Sequence, residues 1–198
     1  MSQKEHRQPP AFIHSALRDH NSLALPSVIR RASGIIIMGR RMKSLIFTTD
    51  IAIIRNCNAD AVLAVYPFTP QQVIMDAIIS ASSIPVVCGV GGGVTDGIRS
   101  VMLAKDAEAQ GAFGVVVNAP MRNQTVETMK KVVDIPIIAY NVPSRTGLNL
   151  PAEAVAELLK HPMIRGVKEA SGDIRQMNRL AALCPGAALY AGNADQAY

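Results

Sequence analysis

Cysteine is scarce in this chain, tryptophan is absent, and aromatic residues make up only 4%. Cys57, Cys88 and Cys184 are too few, and odd in number, for a disulfide scaffold. So few aromatics argue against a base-stacking platform for nucleic acid. Long apolar runs are missing as well: no stretch reaches the roughly 18 residues of a membrane-spanning helix. The opening MSQKEHRQPP is polar and lacks the apolar core of a secretory signal. The expectation is a cytoplasmic protein with reduced thiols and no membrane partner. His6, His14, His20 and His161 are scattered, and none stands at ligand spacing from a cysteine. No metal and no organic cofactor are expected.

Hydrophobic residues are plentiful, at 49% against 18% charged, which supports a sizeable core. A chain of 198 residues suits one domain, and falls just short of the roughly 200–400 residues of a complete (β/α)₈ barrel. Charge is uneven. Residues 1–43 hold eight Lys/Arg and two acids, a balance of +6, while the remaining 155 residues total −1. We read 1–43 as a basic, solvated N-terminal segment, either mobile or closing the floor of the domain. The domain itself is expected over 44–198.

From residue 59 onward the chain has a rhythm. Val/Ile-rich runs recur at 61–66, 84–90, 113–118, 135–141, 164–168 and 187–191. They are nearly continuous in apolar character, as parallel strands buried on both faces require. Segments 71–82, 96–110, 125–133, 152–160 and 173–183 between them space apolar residues three and four apart, as helices do. Pro151 suits a helix N1 position, and Gly111 a position just past a helix end. Strand and helix alternating at a period of about 25 residues indicate right-handed βαβ units. The fold class expected is α/β, a (β/α)₈-type barrel without its final strand and helix. Upstream, 34–39 and 45–49 read as short strands and 51–57 as a short helix, while Pro26 interrupts any helix over 16–29.

Reactive groups of such a barrel sit at the C-terminal strand ends. That rule draws attention to Lys168, which closes the run Ile-Arg-Gly-Val-Lys. A lysine facing a barrel interior loses solvation, its pKa falls, and the neutral amine is a nucleophile toward carbonyls. The plain alternative is a lysine that snorkels to solvent. Tyr140 ends the preceding strand, where a phenol can relay a proton or simply fill the rim. Arg145 lies in a Pro/Gly-bounded loop, where its planar fork can take a carboxylate or stay solvated.

Tyr140-Asn141-Val142-Pro143-Ser144-Arg145-Thr146-Gly147, followed at an offset of 28 by Gly166-Val167-Lys168-Glu169-Ala170-Ser171-Gly172-Asp173, resembles the dihydrodipicolinate synthase / N-acetylneuraminate lyase family of Schiff-base barrel aldolases. The resemblance runs from about Ile135 to Tyr198 and includes Tyr190-Ala191-Gly192-Asn193-Ala194-Asp195. The Ser-Arg-Thr-Gly form is similar to the dihydrodipicolinate synthase branch. It implies an imine between Lys168 and pyruvate, proton shuttling by Tyr140, and a grip by Arg145 on the carboxylate of aspartate semialdehyde. It also implies substrate contacts at Gly192 and Asn193, and a homo-oligomer. The family's second strand ends in Gly-Thr-Thr-Gly-Glu. The nearest match here is Phe47-Thr48-Thr49-Asp50, so Thr49 is the expected catalytic hydroxyl and Thr48 a substrate contact. The family's Thr-Pro-Tyr-Tyr is replaced by Asn118-Ala119-Pro120-Met121, which removes a tyrosine from the proton relay.

Two other readings stay open. Gly91, Gly92 and Gly93 ahead of a helix could cradle a phosphate with backbone N–H groups, although Asp96 at the helix start opposes an anion. A barrel lacking its last strand could also be an inactive fragment or one completed by a partner chain.

Overall fold

The computed structural model describes residues 23–65 and 68–192. Its centre is a seven-stranded, all-parallel sheet in chain order. The strands are β3 (Leu45–Phe47), β4 (Ala61–Ala64), β5 (Val86–Gly91), β6 (Gly114–Asn118), β7 (Ile137–Asn141), β8 (Ile164–Glu169) and β9 (Ala188–Ala191). Helices α1 (Ile51–Arg55), α2 (Gln72–Ala81), α3 (Ile98–Ala109), α4 (Asn123–Met129), α6 (Ala152–Leu159) and α7 (Ile174–Leu183) alternate with them. A one-turn helix, α5 (Pro143–Thr146), follows β7.

The continuous apolar runs are explained by two cores on opposite sheet faces. Successive strand residues point to opposite faces. Val62, Val86, Val115 and Ile137 therefore pack outward against Met75, Ala104, Met129, Val155 and Leu180 of the helices. Their neighbours Leu63, Val87, Val116 and Ile138 pack inward with Tyr140 and Val142. β4 and β5 are buried throughout, whereas β3 and β9 are only partly covered, as befits the edges of the sheet.

The sheet curls. β3 and β8 stand five places apart in strand order, yet the Lys168 Nζ on β8 lies 3.4 Å from the ring centroid of Phe47 on β3. That contact is possible only across the lumen of an incomplete barrel. β1 (Ile35–Ile37) and β2 (Arg40–Met42) pair antiparallel below it. Met38 and Gly39 turn this hairpin with positive φ at both positions, as its right-handed twist demands. Ile35, Ile37 and Met42 meet Ala61 of β4, with Ala188 and Tyr190 of β9 packed against them. The hairpin thus closes the floor, and residues 35–42 share one hydrophobic cluster with the strands that follow residue 43.

Several expected boundaries shift. The run 34–39 is one arm of this hairpin, and its other arm, rich in arginine, escaped apolar patterning. Pro85 and Pro136 stand just ahead of β5 and β7 rather than inside them. Pro151 is the N-cap of α6, in extended backbone, so the helix starts one residue later. Gly111 follows the last turn of α3 with φ 94, where a side chain would be strained. Residues 27–31 form a short 3₁₀ helix directly after Pro26. Tyr66, Asn193 and the first twenty-two residues lie outside the described residues.

Candidate functional site

Parallel register places Asn118, Tyr140, Lys168 and Tyr190 side by side on β6 to β9. Paired residues of a parallel sheet share a face, so the spacing of 28 between Tyr140 and Lys168 is a cross-strand contact. Lys168 is 7% exposed. Its Nζ lies 4.3 Å from the Tyr140 ring centroid, and no carboxylate pairs with it among the described residues. Burial lowers its pKa from 10.5 to about 8, and the Arg145 guanidinium pushes the same way. The Phe47 ring face favours the ammonium form, but cation–π attraction is smaller than the desolvation of a buried amine, so burial wins. Burial raises the Tyr140 phenol above its ordinary value, with Arg145 acting against that shift.

Arg145 is carried by α5, which starts with Pro143 at N1 and ends on Gly147 in the left-handed region. The guanidinium is exposed, and its Cζ lies 5.5 Å from the Phe47 centroid. It also borders a cleft of about 660 Å³ with Val65, Thr69, Gly92, Asn118 and Thr146. Lys168 is not in that lining. Arg145 is the side chain shared by the lysine's surroundings and the cleft.

Behind Lys168, on the opposite face of β8, sits Glu169, 0% exposed. Its carboxylate accepts from Asn141 Nδ2 on both oxygens at 3.0 Å, from the Ser171 N–H at 2.8 Å and from Gln176 Nε2 at 3.0 Å. Asn141 Oδ1 accepts from the Leu150 N–H at 3.1 Å, and its Nδ2 also donates to Asn149 at 2.8 Å. The network ties β7, β8 and α7 together beside the lysine. A buried carboxylate needs such donors.

The structure brings Lys168, Tyr140 and Arg145 together around Phe47, a residue that sequence reasoning gave no role. Thr48 and Thr49 follow the first strand of the sheet, not the second, so they do not occupy the place of the glycine-flanked threonines. The Thr48 hydroxyl accepts from the Asp50 N–H at 3.1 Å, and Thr49 is exposed. The second strand, β4, leads instead into Val65 and Thr69 at the cleft. The N–H of Gly192 is given to the Glu169 carbonyl at 2.6 Å.

The glycine loop is not a free anion cradle. The Gly92 N–H donates to the Thr95 carbonyl and the Gly93 N–H to the Pro120 carbonyl. The Gly97 N–H, ahead of α3, donates to Asp96 and Thr125. A Cβ on Gly92 would come within 2.2 Å of the Asn118 carbonyl, so close loop packing is what this glycine serves, while Gly93 takes a positive φ of 72 in open space. Among the described residues no three His, Cys, Asp or Glu side chains cluster as metal ligands, and no helix is long and apolar enough to cross a membrane.

Comparison with known proteins agrees with this geometry. The model of the dihydrodipicolinate synthetase family matches residues 70–198. A 4-hydroxy-tetrahydrodipicolinate synthase of Caldicellulosiruptor saccharolyticus is 47% identical over 120 residues, covering 57% of this chain and 40% of that protein. The enzyme of the same name from Methanoculleus marisnigri is 44% identical over 116 residues, covering 56% and 40%. The chain thus spans about 40% of the length of these curated relatives. The dihydrodipicolinate synthase of Acinetobacter baumannii, solved in complex with pyruvate, is 27% identical with a TM-score of 0.61, over 70% of this chain and 54% of that one. A parallel barrel sheet with a buried lysine at a strand end, and a family match over its last two thirds, make this chain a member of the dihydrodipicolinate synthetase family.

Proposed function

We propose that the site forms an imine between Lys168 and pyruvate and condenses it with aspartate semialdehyde, as a 4-hydroxy-tetrahydrodipicolinate synthase of lysine biosynthesis does. The observation that carries this reading is the Lys168 amine, buried, without a carboxylate partner among the described residues, and lowered to about 8. At neutral pH an appreciable fraction of such an amine is unprotonated and nucleophilic. Its lone pair adds to the keto carbon, and loss of water leaves the imine. Loss of a methyl proton gives an enamine, whose carbon attacks the aldehyde; the amino group of the added aspartate semialdehyde then attacks the imine carbon, closes the ring and expels the Lys168 amine. The protonated imine is the electron sink, so the proposed cycle needs no organic cofactor.

Tyr140, the paired residue of the neighbouring strand, moves protons to and from the imine nitrogen in this reading. Arg145 takes the carboxylate of the aldehyde at the cleft. The Thr48 hydroxyl, which accepts from the Asp50 N–H, the exposed Thr49 and Gly192, whose N–H donates to the Glu169 carbonyl, have no step in this reading. The family resemblance also implies a homo-oligomer, and we propose one here.

Borohydride added with pyruvate should leave one reduced pyruvyl group on the intact protein, mapped to Lys168 and missing from Lys168→Ala. The absence of an adduct, or its persistence in Lys168→Ala, would overturn the assignment. Two observations favour a second reading, a barrel that is inactive until a partner completes it. β3 and β9 are not paired with each other, and Met121 stands where the family carries tyrosine. In that case trapping fails on the isolated chain and appears when a completing chain is supplied.

A further inference from the structure

We infer that Phe47 is a positioning residue for the Lys168 amine: its ring face holds Nζ and turns the nitrogen lone pair away from β3, into the lumen.

Phe47 ends the edge strand β3, is 37% exposed, and among the described residues is the aromatic ring that faces the buried lysine from across the barrel. Three neighbours fix the ring. Tyr140 meets it edge-on, with centroids 6.2 Å apart and planes at 61°. Arg145 Cζ lies 5.5 Å from its centroid and Lys168 Nζ 3.4 Å. Both cations are within the roughly 6 Å over which a ring face attracts positive charge.

The face of a phenyl ring is electron-rich. It attracts N–H groups and repels lone pairs. An ammonium over the ring has only N–H bonds to offer. When that ammonium loses a proton, the arrangement that keeps the attraction points an N–H at the ring and the lone pair away. Addition to a carbonyl uses that lone pair, so the ring sets the direction of attack and shields one side of the nitrogen. A saturated side chain of similar reach would shield without orienting. Among the described residues the other titratable groups facing Nζ are the Tyr140 phenol on β7 and the Arg145 guanidinium on α5; the Tyr190 hydroxyl, on the paired residue of β9, donates to the Met42 carbonyl at the floor. β3 contributes only the ring.

The imine chemistry rests on the function proposed above, but the amine itself can be titrated without it. In the full chain, the rate at which acetic anhydride modifies Lys168 can be followed across pH by mass spectrometry of its peptide. We expect the midpoint in Phe47→Leu to fall by about one pH unit, because the ammonium loses its ring. Phe47→Trp, with a stronger face, should lie at or above the unsubstituted protein. Simple shielding from water gives the reverse order, since a smaller side chain admits water and raises the midpoint. A Phe47→Leu midpoint equal to or above that of Phe47 overturns the inference. Should Phe47→Leu fail to fold by circular dichroism, a Phe47→Trp midpoint below the unsubstituted protein does so instead. At a pH above both midpoints, pyruvate trapping should be about tenfold slower in Phe47→Leu. An unsubstituted chain that takes no pyruvate overturns the lyase reading and leaves the titration order to decide the role of Phe47.

Discussion

At the scale of single residues, Lys168 and its strand neighbour Glu169 show how two charges are buried for opposite ends. Glu169 is surrounded by donors and is held. Lys168 has aromatic faces and a like charge, and is poised to lose its proton. The poise is a burden on folding. The amine sits at about 8 in the fold against 10.5 when free, so below pH 8 the folded chain bears the full penalty of a buried ammonium. The penalty fades as pH rises through that window, because the unfolded chain then binds more protons than the folded one. Lys168→Met should therefore stabilise the fold by about 1–2 kcal/mol at pH 7, a rise of roughly 2–8 °C in melting temperature. The gain should shrink above pH 8, which melting curves across pH would check. Glu169→Gln should do the opposite. Its amide turns a donor toward Asn141, Ser171 or Gln176, and one of them loses its acceptor. We expect a loss of about 2 kcal/mol in urea unfolding.

At the scale of elements, the strand ends are held by short caps and turns rather than by long helices. Asp173 accepts from the Arg175 N–H at 2.8 Å and starts α7, the helix that brings Gln176 to Glu169. Asp173→Ala should cost about 1 kcal/mol. If α7 positions the network, the same substitution should speed amide exchange at Ser171, whose N–H donates to Glu169. Asp50 caps α1 in the same way, accepting from the N–H groups of Ala52 and Ile53. The alternating strands and helices were legible because burial on both faces forces continuous Val/Ile runs. The β2 arm and the α5 turn were not. Arg40 and Arg41 mask a strand whose one buried side chain is Met42. α5 is a single turn whose Pro143 reads equally as a loop.

At the scale of the whole molecule, the curl of the sheet and the hairpin floor decide what meets what. Met42 is fully buried where hairpin, β4 and β9 converge, and its carbonyl accepts from the Tyr190 hydroxyl at 3.4 Å. Met42→Ala should remove this plug at a cost of about 2–4 kcal/mol. Because Tyr190 neighbours Lys168 in register, the loss should also disturb the lysine. Slower pyruvate trapping in a folded Met42→Ala chain would report it, and an unchanged rate would show that floor and site are independent.

The sequence by itself determined the local matters: most of the strands and helices, and that a tyrosine and a lysine close successive strands with an arginine in the connection between them. Each follows from neighbours a few residues apart, through side-chain period, capping and burial. Only the tertiary structure decided that the threonines at 48 and 49 follow the first strand of the sheet. It alone showed that the N–H groups of Gly92, Gly93 and Gly97 are already bonded. It also brought Phe47 to Lys168, two residues 121 apart in the chain. That meeting depends on the curvature of five intervening strand pairings, and curvature is a sum over the sheet that no local pattern encodes.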